Sequence, residues 1–88
     1  MPDAIRYHHV SSAVVSVLPG RAPEIVAAIE AMEGAEAPVH EGRRIVVVLE
    51  GSSTGELGAR LMAIAALDGV VAANMVFEQI EELEAVQP

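Results

Sequence analysis

Between Tyr7 and Val17 the chain reads Tyr-His-His-Val-Ser-Ser-Ala-Val-Val-Ser-Val, rich in β-branched residues, and the run stops at Leu18-Pro19-Gly20. A breaker cluster after such a run predicts a strand. From Pro23 the period changes: Ile25, Val26, Ile29 and Met32 recur at helical spacing, with Glu24, Glu30 and Glu33 turned outward. This is an amphipathic helix that starts at a proline and is closed by Gly34 in a left-handed conformation. Ala35 to Val39 alternates small or apolar residues with Glu36 and Pro38, which suits only an edge strand because proline donates no ladder hydrogen bond. Arg43 to Leu49 is the most strand-like segment of all. A three-residue loop, His40-Glu41-Gly42, joins the two and pairs Ala37 with Ile45 and Ala35 with Val47. Ser53-Thr54-Gly55-Glu56 is a capping box opening a second helix, whose apolar stripe is Leu57, Leu61, Ile64 and Ala65 and whose end is Asp68-Gly69. Val70 to Glu78 forms the last strand, and residues 79–88 are an acidic tail that frays or continues as a short helix.

The order is therefore strand, helix, strand, strand, helix, strand, and Ala31-Met32-Glu33-Gly34 is echoed by Ala66-Leu67-Asp68-Gly69. With right-handed crossovers this gives an α+β, ferredoxin-like split βαβ sandwich (βαββαβ): a four-stranded antiparallel sheet with both helices on one face and the first and third strands in the middle. The 88 residues form a single domain, with its core over about 7–78.

Alternation sorts the strands into two faces. Odd positions, Ala13, Val15, Val17, Ile45, Val47, Leu49, Val71, Ala73, Met75 and Phe77, fill the helix side. Even positions are left open, and there the chain places Val10, Val14, Val46, Val48, Ala72 and Val76 among Ser12, Ser16 and Asn74. A solvated face would hold Lys, Glu and Thr instead. A contiguous apolar patch on a small domain marks a partner site; pairing with a second copy, as a weak homodimer, is the alternative cover. Glu36, Glu50, Glu78 and the Glu-rich tail form an anionic rim around the patch, so a peptide combining apolar residues with Arg or Lys is the fitting occupant, lying across the sheet or adding to its edge.

Composition narrows the rest. Thirteen acidic against five basic side chains give a net charge of −8, which disfavours nucleic acid and anionic lipid. Only 2% of residues are aromatic, so the base-stacking platform of RNA-recognition modules with this element order is missing. The absence of Cys removes disulfides, zinc-thiolate sites and thiol nucleophiles. His8 and His9 point to opposite faces and His40 lies in a turn, so no metal site is expected. Ser11 and Ser12 lack a base, and Gly51, Gly55 and Gly58 lack the Lys and spacing of a phosphate loop. Arg21 and Asn74 correspond in type to an acylphosphatase pair, but Leu18-Pro19-Gly20 is no glycine-rich cradle. No catalytic set and no cofactor are expected. The polar start Met1-Pro2-Asp3-Ala4-Ile5-Arg6 is not a secretory signal, and the longest apolar run, Leu61 to Leu67, is too short to span a bilayer. A cytoplasmic location follows as the expectation.

Over roughly His8 to Glu82 the pattern resembles NapD, the small cytoplasmic chaperones of periplasmic nitrate reductase. The resemblance lies in Val10-Ser11-Ser12-Ala13-Val14-Val15, in Ile45-Val46-Val47-Val48-Leu49-Glu50 and in Leu67-Asp68-Gly69-Val70-Val71-Ala72 leading to Val76-Phe77, together with size, element order and the Glu-rich tail. It implies binding of the twin-arginine signal peptide of the nitrate reductase catalytic subunit, and proofreading of its export until the molybdenum cofactor is inserted. Arg43-Arg44 within this chain sits ahead of a strand and is a charged hairpin start, not a targeting signal. The binding residues expected are Val10, Ser12, Val14, Val46, Val48, Asn74 and Val76, with Glu50 and Glu78 as arginine partners. A small-molecule-sensing or dimerisation module of the same topology is the competing expectation.

Overall fold

The computed structural model describes residues 7–82, with side chains over 8–80. The elements are β1 (Tyr7–Val17), α1 (Ala22–Glu30), β2 (Ala35–Glu41), β3 (Arg44–Gly51), α2 (Thr54–Ala65) and β4 (Val70–Glu82). They form one four-stranded sheet in the order β2-β3-β1-β4 with every neighbouring pair antiparallel, the split βαβ arrangement expected. α1 packs on β2 and β3, and α2 on β1, β3 and β4.

The core lies between this sheet and the helices. Ala13, Val15 and Val17 of β1 and Ile45, Val47 and Leu49 of β3 are fully buried against Ile25 and Ile29 of α1 and Leu57 and Ile64 of α2. Each large aliphatic side chain taken out of water in this way contributes about 1.5–3 kcal/mol. Leu61 packs on the edge of the core, but Ala65, expected in the α2 stripe, is exposed. Eight residues on from Leu57, at 3.6 residues per turn, it has rotated about 80° off the buried line.

Ser53 caps α2, its hydroxyl accepting from the Glu56 amide at 3.1 Å. The Glu56 carboxylate reaches one residue further back than a capping box requires and accepts from the Ser52 amide at 2.7 Å. That backbone bond, then the Ser52 hydroxyl and the nearby Arg60, hold the Glu56 carboxyl below the usual carboxylate range. α1 is shorter than its apolar period, because after Glu30 the ladder tightens: the Met32 amide bonds the Ile29 carbonyl at 2.9 Å, and Gly34 (φ 75°) ends the turn.

The two halves of the chain hold each other's turns. The Gly34 carbonyl accepts from the Glu50 amide, and the Gly69 carbonyl from the Leu18 amide, each at 2.8 Å. Arg60 of α2 lies over Gly34, and Arg21, just before α1, lies over Gly69. A Cβ on Gly34 would meet the Arg60 guanidinium and the Glu50 carbonyl oxygen, the latter at 2.7 Å. Arg21 also bonds the Asp68 carboxylate at 3.1 Å and carbonyl at 3.3 Å. The echo between the two Gly-ended segments is thus a real internal repeat.

Three expectations are corrected here. The β2–β3 loop is two residues, Gly42-Arg43, with Glu41 opposite Arg44, not three. Ala35 consequently faces Leu49, and His40 faces Ile45. Ala35 and Ala37 are both buried all the same, because Ala37 and Pro38 together oppose one β3 residue, a bulge that absorbs the extra position. Proline gives no amide there, and the Ala37 amide donates to the Glu30 carboxylate of α1 at 2.8 Å.

In β4 the register slips twice, leaving Val71 and Val76 as extra residues. Val70 then joins the core edge in place of Val71, which is 57% exposed. Phe77 moves off the helix side. Finally, β4 does not end at Glu78: Gln79 to Glu82 pair with Val10 to Tyr7, since the start of β1 offers a ladder partner for them. The remainder of the expected tail, 83–88, and residues 1–6 lie outside the described residues.

Candidate functional site

Neither helix covers the second side of the sheet, and β1 and β3 pair with each other without a slip. Their even positions therefore stay on that open side throughout. Cross-strand partners share a face, so the register lays the surface out in rows. Glu50, Val10 and Gln79 stand in one row, and Glu36, Val48, Ser12 and Phe77 in the next. Val39, Val46, Val14 and Asn74 follow, then Glu41, Arg44, Ser16 and Ala72. Val10, Ser12, Val14 and Val48 are half-buried by their neighbours, and Val46, at 38% exposed, and Val39, at 56%, stand clear.

Most of the residues anticipated for the site are brought together. Val10, Ser12, Val14, Val46, Val48, Glu50 and Asn74 share the open face. Val76 is the bulged residue of β4 and is 61% exposed. Glu78 is not on this face: it is opposite Ser11, a fully buried helix-side residue. Its carboxylate accepts from the Thr54 hydroxyl at 2.8 Å and lies 3.5 Å from His9 Nδ1. The slip at Val76 moved it, and there it ties β4 to the start of α2, where a helix N-terminus favours an anion.

Sequence reasoning missed Phe77 for the same reason. Odd parity assigned it to the core, but the bulge sets it opposite Ser12, 58% exposed. It is the only phenylalanine in the chain. A rigid aromatic ring standing free beside valines is a type of group that anchors partner segments. The signal that would have found it is the run of consecutive apolar residues Met75-Val76-Phe77, which breaks the alternation, as an extra residue in an edge strand does.

Glu50 is held at the main chain and open at the side chain. Its amide bonds Gly34 at 2.8 Å, and its carbonyl accepts from Arg60 Nε at 2.9 Å. The carboxylate, 44% exposed, lies 3.2 Å from His8 Nε2, also on the open side. At the opposite end of β3, opposite Glu41, the Arg44 side chain has no hydrogen-bond or ion-pair partner among the described residues. Beside it Arg43 Nε donates to the Val17 carbonyl at 3.0 Å. Arg43, Arg44, Gly42 and Ser16 line an open hollow of about 530 Å³. Among the described residues no three His, Asp or Glu side chains gather as metal ligands, and no helix is long and apolar enough to cross a membrane.

Comparison with known proteins agrees with the fold. Residues 8–82 match the model of the NapD protein family. The chaperone NapD of Paracoccus pantotrophus is 42% identical over 84 residues, which covers 92% of this chain and 75% of that one. The solution structure of the E. coli Tat proofreading chaperone protein NapD superposes with a TM-score of 0.76 at 26% identity, covering 92% of this chain and 87% of that one.

Proposed function

The chain belongs to the NapD family, and from that premise we propose that its open sheet face binds the twin-arginine signal peptide of the periplasmic nitrate reductase catalytic subunit. By doing so in the cytoplasm it withholds the precursor from export until the molybdenum cofactor is inserted. The role is that of a chaperone, as in its relatives, and not of an enzyme.

The observation that supports this reading is an apolar sheet face, uncovered by either helix, with carboxylates on its flank. Such a leader is basic at one end and apolar after it. Val46, Val14, Val48 and Phe77 offer apolar area to the second part, where burial is favourable by about 25 cal/mol per Å². Glu50 and Glu36 offer charge-assisted acceptors to the arginines. Retention is then sequestration: the bound signal is withheld from the translocase, and competition for the peptide releases it by mass action.

Calorimetric titration of a synthetic nitrate reductase leader tests the reading. One peptide per chain is expected. Val48→Glu, whose side chain points away from the helices, abolishes binding while circular dichroism stays native, and Val14→Glu does the same. Exchanging both leader arginines for lysines weakens binding, because a bidentate carboxylate contact is lost. No heat of binding with the native chain, or unchanged affinity in Val48→Glu, would overturn it.

A further inference from the structure

The open face differs at its two ends, and that difference bears on which way a peptide lies. Glu50, with Glu36 one row along on the neighbouring strand, puts carboxylates at one end. Six residues along β3, about 20 Å at the rise of a strand, the Arg44 side chain stands without a hydrogen-bond or ion-pair partner among the described residues. Next to it Arg43, Ser16 and Gly42 complete the hollow. Between these ends lie Val48, Ser12 and Phe77 in one row and Val46, Val14 and Asn74 in the next. Glu41, opposite Arg44 in its row, offsets one of the two arginines. The charge along the strands therefore runs from two carboxylates at one end to a single net positive charge at the other, with the apolar rows in the middle.

Taking the reading of this face given above as its basis, we infer that the sheet sets the direction of the bound leader. The arginine-bearing N-terminal part lies over Glu50 and Glu36. The apolar stretch crosses Val48, Phe77, Val46 and Val14. Its C-terminal end, with main-chain carbonyls and any acidic side chain that follows, reaches the Arg43–Arg44 hollow. The reverse direction brings two guanidinium groups to the end where Arg43 and Arg44 outnumber Glu41 and takes the leader's arginines away from Glu50 and Glu36, so the charge at both ends disfavours it. Main-chain bonds to Gly34 and Arg60 on either side of the Glu50 Cα hold the carboxylate end in place before any peptide arrives.

The test uses the full chain, labelled with ¹⁵N, and two versions of the synthetic leader with a nitroxide spin label either ahead of the arginine pair or just after the apolar stretch. The first label is expected to broaden the amide signals of Val10 and Glu50 and to spare Ser16 and Arg44. The second is expected to do the opposite. A reversed pattern, or equal broadening of both ends by each label, overturns the direction and leaves peptide binding on this face intact. Leaders that perturb no open-face amide overturn both the direction and the function proposed above. As a second readout, Glu50→Gln combined with Glu36→Gln weakens binding of the native leader by at least tenfold and has a much smaller effect on a leader whose two arginines are replaced by glutamine. Equal losses for the two leaders overturn the placement of the arginines.

Discussion

Glu56 shows how much one side chain settles at the start of α2. It accepts the Ser52 amide and hydroxyl and lies 3.8 Å from Arg60. Arg60 in turn covers the turn at Gly34. Because these donors favour the ionised form, its carboxyl titrates lower in the folded chain than in the unfolded one. The stability this supplies is fully present above the unfolded value, about 4.3, and is lost as the pH falls through the lower folded value. Glu56→Gln is accordingly expected to be less stable than the parent at pH 7 and to lose less stability on acidification. Urea unfolding midpoints measured from pH 7 down to pH 3 check this, and parallel curves for the two proteins would contradict it. The capping role of Ser53 and Glu56 was legible from four letters of sequence, because a helix start is a local matter. The Arg60 contact was not, since Gly34 is distant in sequence and only the fold brings the two together.

Among the elements, the strands divide by how regular they are. β1 and β3 pair without a slip, so simple alternation put Ala13, Val15, Val17, Ile45, Val47 and Leu49 on the helix side and Val10, Ser12, Val14, Ser16, Val46 and Val48 on the open side, where the structure has them. β2 and β4 contain bulges, and a bulge depends on what the partner strand offers rather than on the strand's own letters. That is why Ala37 is buried in spite of the shorter loop, and why Phe77 and Glu78 exchanged faces. Deletion of Val76 tests this account. It leaves Met75 opposite Ala13 and Phe77 opposite Ser12 as consecutive pairs of an ordinary ladder, so both faces of β4 keep their residues. Native circular dichroism and retained leader affinity are expected. Loss of the leader site with the fold intact would show that the bulge itself shapes the surface.

At the scale of the whole molecule, the sheet separates two tasks. One side is filled by Ile25, Ile29, Leu57 and Ile64 and sustains the fold, while the other is free to meet a partner. Charge substitutions on the open side, such as Val48→Glu, are therefore expected to act on binding and not on folding. The crosswise clasp of the two turns, in which Glu50 and Arg60 hold Gly34 while Leu18 and Arg21 hold Gly69, has its own consequence. Each half closes its helix end with its own main-chain bonds but has the turn that follows held from the other half, so a chain cleaved between Gly42 and Arg43 should yield two pieces that are unstructured apart and regain the native dichroism when mixed in equal amounts. The two repeats would then behave as obligate complements, a heterodimer that happens to be joined by a hairpin.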